Sequence, residues 1–421
     1  MRNPMHISEH DRDILRRLAG ELAEIAALPV HREKMELWRR LNDLEPVRPV
    51  VWINEIPWHE MNVNDELTLR TEAPWAREFE TRLRRTLYQW RHMPCDMVIS
   101  DYISCPMVIH STGFGLREDA RIATTDAANA IVSHAYRPQI QEPDDVEKIQ
   151  MPEVTYDAET TEMHYALMSD IFGDIMPVRL EGIKGRWFAP WDLLVTWWGV
   201  EQAMMDLVLR PDMVHAAVSR LVDAYLHELE QWEALNLLTR NDDNTRVGSG
   251  GYGYTRELPG PDYDPTHVQA RNLWGCATAQ IFSDVSPAMH WEFALQHEMR
   301  WLERWGLTYY GCCEPLDRKI DILRRVPNLR KISVSAWVNV ERAVTEIGTD
   351  YVMSRKPNPA VLAEDRWRPE LARQDLESFL QHARGCHVEI ILKDISTVRY
   401  EPQRLWQWAE MAMQLAEQYW P

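Results

Sequence analysis

The sequence has no long apolar run, and it carries far less positive than negative charge. No stretch of the 421-residue chain approaches the roughly 18 consecutive apolar residues of a membrane-spanning helix, so none is predicted. The N-terminal segment MRNPMHISEHDRDILRRLAGELAEIAALPV mixes charges throughout and does not read as a signal peptide. Lysine and arginine total 46 against 65 acidic residues, a net charge of −19. This charge disfavours nucleic acids and anionic membranes as partners, and we expect a cytoplasmic protein.

Cysteine and phenylalanine are also scarce. Six cysteines are too few for a disulfide scaffold, and adjacent residues such as Cys312 and Cys313 rarely bridge each other, so reduced thiols are expected. Seven phenylalanines stand beside 19 tryptophans. Tryptophan offers a large flat apolar face with one hydrogen-bond donor. We expect these side chains to fill the core and interfaces, or in part to wall a wide pocket for a flat ligand.

A glycine-rich nucleotide-binding turn is missing after the first predicted strand. That strand, RPVVWIN at residues 48–54, is followed by NEIPWHEM, with neither G-x-G-x-x-G nor G-K-[ST]. A doubly wound open sheet, the alternative α/β architecture, usually carries such a turn. Its absence favours a closed arrangement of strands.

Strand-like and helix-like segments alternate about eight times, which predicts a parallel sheet with helical crossovers. We predict an α/β fold of the (β/α)8 TIM-barrel type at residues 46–421, preceded by an N-terminal helical extension at residues 1–45. Loop insertions are expected at residues 105–140, with a hairpin of their own, and at residues 239–275, where GSGGYGY predicts a long loop beside the active site. The predicted strands lie at residues 48–54, 95–104, 176–183, 245–251, 279–285, 307–314, 329–337, 350–357 and 386–394.

Nearly every predicted strand ends on a polar or ionisable residue. The active site of a TIM barrel lies at the carboxyl ends of its strands, so we predict that these side chains ring one cleft. For each residue the alternative is an ordinary strand end that meets water or caps the next helix. Glu181 and Asp284 are predicted catalytic residues, as proton donors or electrostatic anchors. The predicted substrate-orienting residues are Asn54, His59, Asp101, Tyr252 and Arg355.

Two thiols and a carboxylate follow the strand LTYYG, as Cys312, Cys313 and Glu314. Thiolates bind Zn²⁺ well, and a catalytic zinc needs three protein ligands and an open position, so these residues are predicted metal ligands. His290 or His297, from HWEFALQHEM, is a further candidate ligand. The alternative is that both cysteines are small apolar residues of the core.

Several segments carry a resemblance to a known family. They are LNDLEPVRPVVWI, IFSDVSPAMHWEFALQHEMRWLERWGL with the following TYYGCCEPLDRKIDILRRVPNLRKISVSAW, and YVMSRKPNPAVL. These segments resemble the uroporphyrinogen decarboxylase superfamily, and within it the corrinoid-dependent methyltransferase-like branch. The resemblance implies a TIM barrel and zinc-dependent transfer of methyl groups between corrinoid proteins, methylated substrates and thiols.

The sequence departs from this family at its metal ligands. Where the thiol methyltransferases end one strand on His-x-Cys, this chain has Tyr310-Gly311-Cys312 or Gly311-Cys312-Cys313, both without the histidine. Ala363 rather than a cysteine follows KPNPAVL. The N-terminal Arg-Gln-Ala-Gly-Arg motif of the porphyrin decarboxylases is replaced by NEIPWHEM, which disfavours porphyrin decarboxylation.

The sequence therefore predicts a methyltransferase or demethylase that moves a methyl group between a small methylated substrate and a corrinoid protein or thiol. The expected cofactors are Zn²⁺ and a corrinoid (cobalamin) carried by a partner protein, and a homodimer is left open. The alternative is a metal-independent decarboxylase or lyase acting on a small acidic substrate. A binding protein without catalysis is disfavoured by the many titratable strand ends.

Overall fold

The computed structural model describes residues 7–124, 129 and 132–419, which form a mixed α/β fold. The helices are α1 (Glu9–Ala26), α2 (Val30–Asn42), α3 (Pro74–His92), α4 (Ala158–Phe172), α5 (Pro190–Trp198), α6 (Val200–Leu209), α7 (Pro211–Ala234), α8 (Pro287–His290), α9 (Gln296–Leu302), α10 (Ile320–Leu323), α11 (Val340–Ile347), α12 (Ala360–Ala363), α13 (Pro369–His382) and α14 (Gln403–Gln418). The strands are β1 (Val50–Ile53), β2 (Ile103–Pro106), β3 (Ile109–Ser111), β4 (Ala120–Ala123), β5 (Ser133–Tyr136), β6 (Val154–Tyr156), β7 (Val178–Glu181), β8 (Trp274–Ala277), β9 (Leu307–Tyr310), β10 (Leu329–Val334), β11 (Val352–Arg355) and β12 (His387–Leu392).

Six strands form one parallel sheet in the order β1-β12-β11-β10-β9-β8. Nearly every residue of these strands is buried, as expected when helices cover both faces of a parallel sheet. The other described strands pair as β2 with β7, in parallel, and as β3 with β6 and β4 with β5, both antiparallel. The predicted α/β class is confirmed. Strand pairing among the described residues does not by itself close the six-stranded sheet into a barrel.

Two predicted strands are misplaced. The strand expected at residues 279–285 is wrong: β8 lies earlier, and residues 280–282 form a 3-10 helix. The sequence WGCA of β8 gave no alternating pattern because all four of its residues are buried. The strand expected at residues 95–104 begins only at Ile103. The carboxylate of Asp96 accepts hydrogen bonds from Arg48 and from the amide of Val51, which holds the chain in a turn instead.

The long loop predicted at residues 239–275, with its glycine-rich segment GSGGYGY, was expected beside the active site, and only part of it lies there. Gly248 and Ser249 border the cavity described below, whereas the next two glycines pack into the core. A Cβ on Gly251 would lie 2.3 Å from the Trp38 ring, and the amide of Gly251 donates to Glu389. The prediction of a strand at residues 245–251 is wrong: residues 248–249 form a turn, and Arg246 makes an isolated antiparallel bridge with Tyr252.

The N-terminal helices are confirmed, and they pack closely on the rest of the chain. Ser8 caps α1 by accepting from the amide of Asp11. Leu15, Leu18 and Leu22 are buried in a core cluster shared with α3 and α4. The indole of Trp38 on α2 donates to the carbonyl of Asp96 at 2.8 Å. The division into an extension at residues 1–45 and a barrel at residues 46–421 stays a prediction.

The insertion at residues 105–140 contains the expected hairpin, formed by β4 and β5. Within the part of the chain that the structure describes, none of the helices combines the length and apolar character needed to cross a membrane.

Two glycine substitutions test the packing of the fold. A Cβ on Gly275 of β8 would lie 2.3 Å from the Trp305 ring, so Gly275→Ala is expected to lower the free energy of unfolding by about 1–3 kcal/mol or more. Gly20 lies inside α1, and a Cβ there would meet no atom within 4 Å beyond the backbone of its own helix. Gly20→Ala is therefore expected to raise the free energy of unfolding by roughly 0.5–1 kcal/mol. Urea denaturation measures both. Equal effects of the two changes would contradict the packing of Trp305 on β8.

Candidate active site

Loops after the carboxyl ends of β1, β7, β8, β9 and β12 enclose a cavity of about 500 Å³. Its base carries two thiols and a lysine, and its walls carry cationic and aromatic side chains. The residues used below are Cys312, Cys313, Lys393, Asp394, Arg186 and Trp187. The carboxyl edge of parallel strands is where α/β enzymes place their ligands, so this cavity is the candidate active site.

The two thiols at the base are in contact with each other and with an ammonium group. The sulfur atoms of Cys312 and Cys313 lie 3.5 Å apart, and Lys393 Nζ lies 3.5 Å from Cys312 Sγ. The hydrogen bond from Cys313 and the charge of Lys393 outweigh burial and lower the pKa of Cys312 to about 7. The same hydrogen bond, together with burial, raises the pKa of Cys313. Near pH 7 the pair therefore titrates between two thiols and the form with a Cys312 thiolate and a Cys313 thiol.

Carboxylates fix the lysine in place. Lys393 Nζ lies 2.7 Å from the carboxylate of Asp394 and 3.7 Å from that of Glu55. Burial alone would lower the pKa of Lys393, but the Cys312 thiolate and Asp394 raise it above its ordinary value, so the group stays cationic. Asp394 has a left-handed backbone (φ 56°), and its amide donates to Glu55 at 3.1 Å. Glu55 also pairs with Arg246 at 2.7 Å.

Glu314 lies behind the thiols rather than beside them. Its carboxylate accepts from the amide of Cys312 at 2.8 Å and from the hydroxyl of Thr278 at 2.9 Å. The side chain is fully buried, and burial raises the pKa of Glu314. Gly311 permits this turn, because it has a φ of +98°. Glu314 thus holds the backbone that presents the two cysteines.

The predicted zinc set does not fit this arrangement. Among the described residues, no group of three His, Cys, Asp or Glu side chains is arranged to hold a metal ion. The carboxylate of Glu314 is already engaged by the amide of Cys312, and neither candidate histidine joins the thiols. His290 bonds to the Tyr310 hydroxyl at 2.7 Å, and His297 lies 3.0 Å from the ring of His215. We therefore derive no step through zinc.

Cationic side chains form much of the cavity wall. Lys184 is held by Glu181 at 2.6 Å and by Asp243 at 2.8 Å. Arg186 has a weaker carboxylate contact, 3.8 Å from Glu228, and its side chain is 38% exposed. The Nε donor of Arg246 is buried and has no hydrogen-bond partner among the described residues. This wall therefore has hydrogen-bond donors that can bind an anionic group of a ligand.

Few of the residues predicted from the sequence meet in this cavity. Cys312 and Cys313 line it, whereas Glu181 and Tyr252 line a smaller neighbouring cavity of about 300 Å³ that shares Lys184 with it. Asp101 and Asp284 are exposed at the surface.

Three further predicted residues make local contacts elsewhere. Asn54 is half-buried and joins β12 through its backbone amide, which donates to the carbonyl of Leu392. His59 lies 3.6 Å from Glu60. The buried guanidinium of Arg355 donates to the carbonyl of Ser335 and to Asp375. The roles assigned to all these residues stay predictions.

Sequence reasoning gave no role to the cations of the wall. Lys184 and Arg186 belong to GIKGRW, directly after a predicted strand, and this was the one signal that pointed to them. Arg246 lies within the strand wrongly predicted at residues 245–251, so the sequence did not orient its side chain correctly. Lys393 and Asp394 do end a predicted strand, but a surface ion pair explained them equally well.

Alkylation should distinguish the thiols of this cavity. The pKa of Cys312 is lowered to about 7, whereas burial raises that of Cys276, in the same cavity, to about 11. Because the thiolate is the reactive form, alkylation of Cys312 by iodoacetamide is expected to rise with pH to half its maximal rate near pH 7. Peptide mass spectrometry measures each site, with half-buried Cys386 as the reference outside the cavity. A Cys312 profile that coincides with that of Cys276 would contradict the assigned thiolate.

Comparison with known proteins shows a likeness in structure and none in sequence. No protein-family model and no curated protein matches the chain. A solved structure, a methyltransferase from Methanosarcina mazei, is similar to this chain with a TM-score of 0.51 and 12% sequence identity. The match covers 92% of this chain and 99% of that one. At this identity the likeness shows that the two chains share a fold.

Proposed function

We propose that the protein is a methyltransferase or demethylase, which moves a methyl group between a small methylated substrate and a corrinoid protein or thiol. The observation that carries the proposal is the pair of thiols held beside Lys393 at the base of the cavity. Two further findings support it: the fold is similar to that of a protein named as a methyltransferase, and the sequence resembles the methyltransferase-like branch of the uroporphyrinogen decarboxylase superfamily. Membership of that superfamily is part of the proposal.

The proposal includes a closed barrel. The six-stranded sheet ends at β1 on one side and at β8 on the other. Beyond β1, the amide of Asp96 donates to the carbonyl of Val51, and the chain continues into the parallel pair of β2 and β7. After β7, Ile183 bridges in parallel to Leu238, and the side chain of Asn241 bonds to both backbone groups of Trp274 on β8. This path of contacts, from one edge of the sheet around to the other, supports closure.

In methyl transfer the two atoms of the bond that breaks have different roles. A nucleophile attacks the methyl carbon, and the heteroatom that carried the methyl group leaves with the electron pair. Lys393 is a fixed cation at the base of the cavity, so it would stabilise negative charge that develops on the leaving heteroatom. In the other direction, it would hold an acceptor thiol as the thiolate, as it does for Cys312.

The corrinoid would come to the cavity from outside. A reduced corrinoid would supply a strongly nucleophilic cobalt as the methyl acceptor. The cationic side chains of the cavity wall would bind and orient the substrate. Trp187, 40% exposed at the wall, is a flat apolar surface available to the incoming ligand. The corrinoid partner, a homodimer and the cytoplasmic location stay predictions.

The experiment that tests this function uses free corrinoid and small thiols. The purified protein is incubated with methylcobalamin and either 3-mercaptopropionate, an anionic acceptor, or cysteamine, a cationic one. We expect loss of the methylcobalamin absorbance and formation of the methyl thioether, roughly 10-fold faster or more with the anionic thiol. Reverse transfer is measured with reduced cobalamin and a panel of methylated amines, ethers and thioethers. Rates equal to those without protein in both directions would overturn the proposal.

A second candidate function is a metal-independent decarboxylase or lyase acting on a small acidic substrate. The unused donors of Arg186 and Arg246 favour it, because a carboxylate would fit beside them. The two candidate functions differ in whether the reaction needs a metal ion and a corrinoid. Release of carbon dioxide from small carboxylic acids that continues with a chelator present and without a corrinoid would favour the lyase and exclude the methyl-transfer proposal.

A further inference from the structure

The proposed methyl transfer gives no role to the second thiol at the base of the cavity. Cys313 is half-buried, lies beside the Cys312 sulfur and is 3.5 Å from the carboxylate of Asp394. Both cysteines line the same cavity, which is open to solvent at its mouth. A thiol next to an ammonium group is favoured as the thiolate, the form that attacks a disulfide, and a second thiol in contact with it can resolve the mixed disulfide.

We propose that Cys312 and Cys313 form a thiol–disulfide exchange site for small anionic disulfides, in which Cys312 attacks and Cys313 resolves. The Cys312 thiolate attacks one sulfur of R–S–S–R, so that a Cys312–S–S–R bond forms and one RS⁻ leaves. Cys313 gives its proton to Asp394 or water and attacks the Cys312 sulfur. A Cys312–Cys313 disulfide forms and the second RS⁻ leaves. The two protein sulfurs lose two electrons, which reduce the small disulfide to two thiolates.

The contacts of each sulfur assign the two roles. Lys393 Nζ lies next to Cys312 Sγ, and a neighbouring cation favours the thiolate, which is the attacking form. Cys313 Sγ also lies 3.5 Å from Asp394 Oδ2, so a carboxylate is within reach to accept the Cys313 proton in the resolving step. The separation of 3.5 Å between the two sulfurs means that resolution needs little movement of either side chain.

The adjacency of the two cysteines makes the product easy to reduce. Neighbouring Cα atoms lie about 3.8 Å apart across a trans peptide, below the roughly 4.4–6.8 Å usual for disulfides. A bridge between them is therefore strained, and strained disulfides are the labile ones that serve regulation or catalysis. The site would cycle readily between oxidised and reduced forms.

The charge of the cavity wall selects the disulfide. Four cations, Lys184, Arg186, Arg246 and Lys393, line the cavity with two carboxylates, those of Glu55 and Asp394, and Arg186 retains exposed donors. The chain as a whole is strongly acidic, so this excess of cations over carboxylates is a local feature that favours small anions near the thiols. An anionic disulfide should react faster than a cationic one of similar size.

Mass spectrometry of the reduced full chain tests the proposal. The protein is treated with 3,3′-dithiodipropionate, as the anionic disulfide, or with cystamine, as the cationic one of similar size, and its peptides are mapped. We expect a Cys312–Cys313 disulfide, formed at least about 10-fold faster with 3,3′-dithiodipropionate and fully reversed by a dithiol reductant. Cys276, in the same cavity but with a pKa raised by burial, should remain unmodified.

Single variants separate the two roles. Cys313→Ala should accumulate the mixed disulfide on Cys312, and Cys312→Ala should slow modification of Cys313 by at least about 10-fold. Wild-type modification at Cys313 alone, equal reaction with both disulfides, or an unchanged rate in Cys312→Ala would overturn the proposal. Because the readout is the mass of the peptide, the result does not depend on whether the protein transfers methyl groups.

Discussion

Glu389→Gln is expected to lower the free energy of unfolding by about 3–5 kcal/mol, because it leaves a buried lysine without its counter-charge. Glu389 and Lys331 form an ion pair at 2.9 Å, and both side chains are fully buried. The carboxylate also accepts from the hydroxyl of Ser354 and the amide of Gly251. Glutamine has the same shape, so the change removes the charge without opening a cavity. Denaturation in guanidinium chloride measures the loss.

A surface pair is the control for this prediction. Asp365 pairs with Arg399 at 2.8 Å, but its side chain is 94% exposed, so Asp365→Asn should leave the unfolding midpoint unchanged. A second buried lysine, Lys356, increases the expected loss of stability in Glu389→Gln. The Glu389 carboxylate also stabilises the charged form of Lys356, and glutamine would not. A loss in Glu389→Gln no larger than in Asp365→Asn would show that the pair is not buried as described.

Lys393→Met is expected to reduce the rate of the proposed methyl transfer by roughly 10²–10³-fold, the usual effect of removing one preorganised electrostatic group. Methionine keeps much of the length of the side chain and removes its charge. The same change should raise the pKa of Cys312, since the ammonium is one of the groups that lower it. The transfer rate and the pH profile of Cys312 alkylation are therefore measured on the same variant.

A variant that restores the positive charge distinguishes an electrostatic role of Lys393 from a role in packing. Lys393→Arg retains the cation and should recover at least part of the rate, whereas a loss of packing would be equal in both variants. Arg399→Ala, a change at an exposed ion pair outside the cavity, is the matched control for surface charge. If Lys393→Met transfers methyl groups at the wild-type rate, the lysine has no part in the chemistry.

The order of strands and helices followed from local sequence. Alternating segments predicted the α/β class, and most strands of the parallel sheet were found within two to four residues of their predicted positions. The hairpin within residues 105–140 also followed from short-range signals. The failures came where a buried contact overrides a local pattern. Gly275 lies in a buried strand, where the Trp305 ring leaves no room for a Cβ, and no periodicity along the chain shows this contact.

The candidate site was harder to predict because it depends on where loops converge. The sequence placed Cys312 and Cys313 at a strand end, and both line the cavity. It could not show that Glu314, one residue further, turns back to bind the amide of Cys312. Nor could it show that Lys393, 81 positions away, lies beside the sulfur of Cys312.

The sequence by itself determined what depends on neighbours along the chain: helix and strand periodicity, caps, the acidic net charge and the scarcity of cysteine. The tertiary structure alone decided which titratable groups face each other, and thus which carry shifted pKa values. The physical reason is that electrostatic interaction and burial act through space, over a few ångströms. A thiol beside an ammonium group differs in pKa from a thiol in an apolar core, although both are cysteine in the sequence.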